Sequence, residues 1–509
     1  MQHRLSHSRR FVGWLASEPF FWVIVAVLIV QAAWLALSGR YPMAFDENFH
    51  LGIIQLYAHH LSPFWSSQPA NADAYGAVAR DPSYLYQYIM SFPYRLISAF
   101  THDLTIQVLI LRALNIILMA SSLPLFRRLL QKTGASRALT HSCLAVYVLI
   151  PVVPLLAAQI NYDNMVIPLT ALTLLLTIRL NEKLVARKPL DIQLLLSLMI
   201  LCLLTSLVKY AFLPIFLVVV LFLAVRCWQV YGKPKQLLES ARQGLRRTSR
   251  RSCWLLASAT IIAIGLFSQR YVVNTALYHT PIPSCDQVLS VKQCSAYAPW
   301  QRDYVYKVSR QASSATKPSA AGYISGWFYG MWFRTFFAVD GLATNYETSE
   351  PLLVPGVAAV IFVVTGALAV IITARRLIRD YHGQTLILFL LASAAYIGAL
   401  FLDEYQTYVS TGQPMAINGR YLLPVLPLIF VLFALAYGEL LKRWLSAKVL
   451  LACLAIASLL WGGGALTYIL RSNQDWYWPA RPVYDVNHAV QDVIGPRTPG
   501  YDSPMHFTL

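Results

Sequence analysis

FFWVIVAVLIVQAAWLALSGRYPMAFDENFHLG, residues 20–52, is the stretch on which the reading of this chain turns. Its first part, residues 20–38, is an apolar run long enough for a helix to cross roughly 30 Å of hydrocarbon. A basic tail with Arg4, Arg9 and Arg10 precedes it. The length of the run and the lack of a small-residue cleavage site favour a retained anchor over a removed leader. Just beyond the run stands an acidic pair, Asp46-Glu47. Carboxylates are costly beside lipid and useless for anchoring. They suit proton transfer from a hydroxyl or the holding of a cation.

The rest of the chain repeats the first theme. It has 509 residues, of which 57% are hydrophobic and 13% charged. A soluble domain carries about a quarter charged residues. Further apolar runs lie at 104–126, 140–156, 160–178, 190–207, 211–227, 253–271, 351–374, 385–402, 421–441 and 449–470. The expectation is an all-α integral membrane protein of about eleven transmembrane helices. No period of two runs through these segments, which excludes a barrel. The fifth and sixth runs are separated only by Val208, Lys209 and Tyr210, which predicts a tight hairpin or a re-entrant segment.

The net charge of +18 raises nucleic acid as a partner, but its placement argues otherwise. Arg127-Arg128, Arg187-Lys188, Arg246-Arg247, Arg250-Arg251, Arg375-Arg376 and Lys442-Arg443 all fall in alternate loops on one side. This is the positive-inside bias of a membrane protein, and anionic lipid is the expected partner of those loops. A membrane-surface helix is expected in 228–252. The organisation is then a cytoplasmic basic tail at 1–19 and a membrane domain at 20–470. Its outer loops are 39–103, 272–350 and 403–420, with an outer tail at 471–509. Two amphipathic helices are expected in the first outer loop, in DENFHLGIIQLYAHHL and PSYLYQYIMSFPYRLISAF. Cys285 and Cys294 share a polar outer segment, so a local disulfide in an oxidising compartment stands beside two free thiols as readings. No internal repeat is visible.

Several polar residues sit where spans meet loops. Asp46 and His50 are four apart and share a helix face, while Glu47 points about 100° away. Asp46 could equally be a helix N-cap. Asp163 lies in AAQINYDNMVIP, where Gln159, Asn161, Tyr162, Asp163 and Asn164 break two apolar runs; a plain turn uses the same residue types. Lys209 in TSLVKYAFLP and Arg420 in GRYLLPVLPL would meet a phosphate at head-group level or serve as interfacial anchors. Arg is the better clamp because its donors form a planar fork. Asp403-Glu404 would pair with Arg420 or form a solvated cluster. Outer Tyr and Trp residues read first as interfacial belt.

Taken together, DENFH (Asp46, Glu47, His50), INYDN (Asn161, Asp163), LVKY (Lys209) and GRYLLPVLP (Gly419, Arg420, Tyr421, Pro424, Pro427) resemble the GT-C class of polytopic membrane glycosyltransferases. Within that class the pattern is similar to DUF2142-like proteins and the protein-mannosyltransferase relatives. The resemblance implies an inverting transfer of a sugar from a polyprenyl-phosphate donor to a glycan, lipid or protein hydroxyl. It implies the outer face of a bacterial cytoplasmic membrane as the place. By the same resemblance Asp46, Glu47 and Asp163 are the catalytic candidates, with Asp46 the base. Lys209 and Arg420 would hold the departing phosphate, and His50, Asn161 and Tyr421 would help bind substrate. A divalent metal ion, needed by some relatives, would fall to Glu47 or His50.

Two rival readings remain at this point. A transporter or flippase of lipid-linked saccharides shares the membrane bulk, but should have a charged path or a repeat. Arg112 and Glu439 read as isolated charges and supply neither. A non-catalytic envelope subunit gives no reason for Asp46, Asp163, Lys209 and Arg420 to face one surface.

Overall fold

The computed structural model describes residues 10–312, 319–336, 338–340, 347–349, 352–471, 476 and 480–498. Parts of the basic tail, of the loop 272–350 and of the tail 471–509 therefore lie outside the described residues. The described chain is helical apart from a two-stranded antiparallel ribbon, in which Ala338–Asp340 pairs with Glu347–Ser349. Among the described residues, seven helices are long and apolar enough to cross a membrane. They are α1 (Glu18–Ser38), α4 (Leu104–Gln131), α7 (Asp163–Val185), α9 (Leu213–Tyr231, extended at its start by a 3-10 turn from Tyr210), α11 (Arg250–Tyr278), α14 (Leu353–Asp380) and α15 (Gly383–Thr411). Shorter apolar helices complete the bundle: α8 (Ile192–Val208), α16 (Leu426–Leu440) and α17 (Leu445–Leu460).

Local chemistry sets the ends. Ser17 caps α1 by accepting from the Phe20 N–H at 3.3 Å, with Pro19 in the first turn. Asp103 caps α4 and Asp191 caps α8 in the same way. The third apolar run is not one helix. It divides into α5 (Arg137–Val148) and α6 (Val152–Ala157), because Pro151 and Pro154 remove the N–H groups a continuous helix would use. The last run also breaks. Gly462 (φ +109°) and Gly464 (φ +57°) adopt left-handed backbone after α17, and the chain resumes as Leu466–Arg471. In the tenth, residues 419–422 form a 3-10 turn and the helix begins only at Leu426, beside Pro427.

The amphipathic segments of the first loop are helices: α2 (Glu47–Ala58) and α3 (Leu85–Phe100). They pack on each other through a buried layer with Ile54, Tyr57, Tyr86 and Met90, rather than lying apart. The basic segment between spans forms α10 (Pro234–Arg247), seated against Leu190 through Ser240 and Gly244. The fifth and sixth runs do not make a paired hairpin. After Lys209, α8 packs mainly on α11 and α9 mainly on α15.

The core centres on α1, α4, α5, α6, α7 and α16, with Leu28, Ala32, Met119, Leu155, Leu174 and Leu428 fully buried. Large apolar side chains such as Trp22, Val30, Ile117, Trp254, Ile261 and Ile371 face outward. That is the surface expected against lipid. One end of the bundle is basic. There Arg127 pairs with Glu18, Lys132 with Glu182 at 2.9 Å, and Lys183 with Asp191. The opposite end carries residues 39–103, 272–312 and 412–420. The alternation of helices brings the C-termini of α1, α6 and α8 to this end, together with the N-termini of α4, α7 and α9.

Candidate functional site at the loop end

The site begins with two residues in an unfavourable backbone. Phe45 (φ +72°) and Asp46 (φ +71°) are both left-handed, which costs roughly 1–2 kcal/mol for each L-residue. Asp46 holds the N-cap position of α2, yet its side chain makes no cap bond. The carboxylate turns instead to Arg420, whose Nη2 donates to Asp46 Oδ2 at 2.7 Å. The Phe45 carbonyl accepts from Arg420 Nη1 at 2.8 Å and from Asn161 Nδ2 at 3.0 Å. These bonds offset the strain and fix the direction in which Asp46 points. Its side chain is 52% exposed, whereas that of Arg420 is 4% exposed. Burial pulls the Asp46 carboxyl upward, but the charge and hydrogen bond of Arg420 outweigh it and leave it below the ordinary carboxylate value.

Glu47, one residue on, has the opposite fate. It is fully buried and bidentate with Arg112, Nε to Oε1 at 2.8 Å and Nη2 to Oε2 at 2.7 Å. Its oxygens also accept from the backbone N–H groups of Met43 at 2.8 Å and Ile160 at 3.2 Å. Arg112 Nη1 donates to the carbonyls of Ala36 and Gly39 at 2.8 and 2.7 Å. Arg112 is thus no isolated charge; it ties the end of α1 to the start of α2. Glu439 is likewise paired, with Lys442 at 3.3 Å.

A second carboxylate arrives from the turn between α6 and α7. The Asn161 side-chain oxygen accepts from the Asp163 N–H at 2.9 Å and shapes that turn. Asp163 Oδ1 accepts from Lys209 Nζ at 2.6 Å, and both side chains are almost wholly buried. Asp163 Oδ2 has no hydrogen-bond partner among the described residues. Lys209 Nζ lies 4.6 Å from the centre of the Tyr162 ring and 4.5 Å from that of Tyr421. Arg420 Cζ lies 5.0 Å from the same Tyr421 ring. One aromatic ring therefore lies within about 5 Å of two cations, each already facing its own acid.

His50 is buried one turn along α2 from Asp46. Its Nδ1 lies 3.2 Å from the Gln87 side chain. With the Gln87 oxygen toward the ring, the amide nitrogen reaches the carbonyls of Tyr84 and Ser83 at 3.1 and 2.9 Å. The Tyr162 ring stands edge-on to the imidazole at 4.5 Å. Burial pushes the His50 pKa down to about 3, so the ring is neutral.

Six of the expected residues meet here: Asp46, Asn161, Asp163, Lys209, Arg420 and Tyr421. Glu47 is withdrawn into a structural pair, and His50 supports from beneath. Glu404 does not join Arg420; it is buried and accepts from the Trp327 indole N–H. Of the two suggested metal ligands, Glu47 is held bidentate by Arg112, and His50 has its Nδ1 beside Gln87. Among the described residues no group of three or more His, Cys, Asp or Glu could hold a metal ion. Cys285 and Cys294 are joined in a disulfide.

Two contributors were missed in the sequence. Arg270, in α11, is fully buried, donates to the Ala79 carbonyl, and lies 4.7 Å from the Tyr84 ring. It fastens the first loop to the bundle; a lone arginine late in an apolar run was the available signal. Tyr297, from the second loop, packs on Gly76 and on Phe49, whose rings lie 5.9 Å apart. Nothing in its local sequence marks it.

A helical membrane domain that gathers acids and cations from four separate connections at one end has the build of a GT-C glycosyltransferase. Residues 23–276 match the family model described as dolichyl-phosphate-mannose-protein mannosyltransferase. The chain belongs to the GT-C class through this mannosyltransferase-type domain, and it is a multi-pass membrane glycosyltransferase of the kind that uses polyprenyl-phosphate sugar donors. No curated protein and no solved structure matches the chain. The match decides for an enzyme over a transporter or an assembly subunit.

Proposed function

We propose that the protein transfers a sugar with inversion from a polyprenyl-phosphate donor to an acceptor hydroxyl, at the outer face of a bacterial cytoplasmic membrane. The observation that carries this reading is the half-exposed Asp46 carboxylate, fixed at 2.7 Å on a buried arginine. A base must be ionised before reaction and open to its substrate, and Asp46 meets both conditions. The acceptor oxygen bonds to the anomeric carbon as its proton passes to Asp46. The bond from that carbon to the phosphate oxygen breaks, and polyprenyl phosphate leaves with the electron pair. Arg420 and Lys209 receive the growing phosphate charge; both are held in place before the donor arrives, so little reorganisation is needed. Asp163 keeps Lys209 oriented, and Asn161 holds the Phe45 carbonyl behind Asp46.

An apolar cavity of about 730 Å³ supports the donor side of this reading. It is bounded by Trp327, Met331, Leu422, Leu426, Phe430 and Leu459, and Leu422 lies two residues beyond Arg420. A prenyl chain seated there brings its phosphate toward the cation pair. The acceptor is a glycan, lipid or protein hydroxyl.

The test is Asp46→Asn in purified full-length protein given a labelled polyprenyl-phosphate mannose. General-base loss predicts a fall of about 10²–10⁴-fold in donor consumption with unchanged thermal stability. Wild-type consumption by that variant would remove Asp46 from the mechanism.

A further inference from the structure

At the wall of the apolar cavity stand an indole and a carboxylate that the mechanism above leaves unused. Trp327 belongs to α13 (Ala320–Phe336) and lines that cavity together with Met331. It is 2% exposed, and its indole N–H donates to the Glu404 carboxylate, itself 5% exposed. Glu404 stands near the loop end of α15. A carboxylate buried so far is costly unless a donor satisfies it. The hydrogen bond fixes the indole on one side, and the Phe401 ring stands edge-on to it at 5.2 Å. The same end of α15 is held by α12 (Ala298–Ala312), where Arg310 Nη1 donates to the Val409 carbonyl at 2.6 Å.

The helix that carries Trp327 also grips the segment leading to Arg420. Arg334 Nη1 donates to the Ile417 carbonyl at 2.6 Å. Gly419 lies so close to α13 that an added Cβ would sit 2.6 Å from the Met331 carbonyl oxygen, an approach only glycine permits. Ile417 is buried with Trp327 and Met331 in one cluster, and Tyr421, the ring beside Lys209 and Arg420, packs against it. One helix thus touches both the cavity and the turn that holds the phosphate cation. The cavity itself follows α16. Leu426, Ile429, Phe430, Phe433 and Tyr437 line it, three and four residues apart and so on one helix face. At 1.5 Å per residue that face runs about 17 Å, a shape that suits an extended chain.

We propose that Glu404 is a positioning residue for the donor: by holding the Trp327 indole it sets the cavity wall near Arg420, and with it the path along which the prenyl chain delivers its phosphate. The inference rests on the reading of this cavity as the seat of the prenyl chain. Lipid tails are as apolar as the groove, so a chain moving from bilayer to groove gains no hydrophobic energy. What the groove supplies is shape. With the indole free to swing, the chain can take several paths, and fewer bound donors place their phosphate on Arg420 and Lys209. The signature of such a role is weaker capture of the donor, with the chemistry of a correctly seated donor unchanged.

The experiment gives full-length protein in nanodiscs labelled polyprenyl-phosphate mannose, and measures KM and kcat for donor consumption beside the thermal midpoint. Glu404→Ala should raise KM several-fold and leave kcat and the midpoint near wild type. Trp327→Phe, which keeps a ring but no N–H, should do the same and stands in if Glu404→Ala fails to fold. The two changes together should raise KM no further than either alone, because both remove one bond. Glu404→Gln keeps an acceptor oxygen for the indole and should hold the wild-type KM. Ala455→Phe, which enters the cavity from α17, tests the seat itself and should raise KM as well. A raised KM in Ala455→Phe beside a wild-type KM in Glu404→Ala and Trp327→Phe overturns the positioning role and leaves the seat standing. So does a Glu404→Ala defect that falls on kcat or the midpoint instead of KM, or one that Trp327→Phe does not share. A wild-type KM in all three single variants, Ala455→Phe included, overturns the prenyl seat itself.

Discussion

Replacing Arg112 by alanine deletes a guanidinium whose hydrogen bonds include two to Glu47 and one each to the carbonyls of Ala36 and Gly39. The Arg112 and Glu47 side chains both lie at zero exposure. The variant leaves the Glu47 carboxylate buried without its counter-charge, and loses the clamp between the end of α1 and the start of α2. Removal of one partner from a buried pair costs about 3–5 kcal/mol. Arg112→Ala should therefore lower the detergent melting midpoint strongly, read by fluorescence-detected size exclusion after heating. Glu47→Gln keeps only one acceptor oxygen for the Met43 and Ile160 N–H groups and leaves Arg112 buried without its counter-charge, so it should cost a comparable amount. The double variant Glu47→Gln/Arg112→Met removes both charges and should be more stable than Arg112→Ala alone, because the uncompensated charge is gone. A normal midpoint for Arg112→Ala would refute the structural assignment of the pair. So would a fully stable Glu47→Gln protein without activity, which would return Glu47 to the chemistry.

Other consequences can be checked in the same preparations. Arg420→Lys cannot hold Asp46, the Phe45 carbonyl and a phosphate at once; losing one charged hydrogen bond of about 1.5–3 kcal/mol predicts roughly a 10–100-fold fall in kcat/KM for the donor, measured at limiting donor. Asp46 has a folded pKa below its ordinary value, so the base stays ionised as pH falls, and donor consumption should persist into mildly acid buffer until pH nears that lowered value. His50 acts on stability instead. Its folded pKa is lowered to about 3, so the unfolded chain binds the extra proton first; the stabilisation is complete above about pH 6.5 and is lost as pH falls below it. Between pH 7 and pH 5 the loss from this buried group is about 2 kcal/mol, and His50→Gln should flatten the fall in melting midpoint over that range.

The membrane architecture was legible because hydrophobic runs are a one-dimensional signal: a helix that must satisfy its own backbone in lipid announces itself by length and composition. The places where those runs break were also written in the chain, in Pro151 and Pro154 and in the Gly462–Gly464 stretch. The polar residues at helix ends were legible for a related reason, since a charge beside lipid needs a purpose. What could not be read was the choice between Asp46 and Glu47. The two acids are adjacent and chemically alike, and periodicity says only that they point apart. The choice is made by the left-handed backbone at Phe45 and Asp46, which no residue type there demands. That backbone persists because the Phe45 carbonyl is gripped by Arg420 and Asn161, residues from two other loops. The same grip turns Asp46 toward the open cleft while Glu47 drops onto Arg112. One acid is free to work because its neighbour is locked, and both outcomes come from contacts that exist only after α4, α7 and the turn before α16 have assembled. A strained pair of residues held by long-range bonds is where local sequence and tertiary structure disagree, and in this protein that disagreement selects the carboxylate we assign as the base.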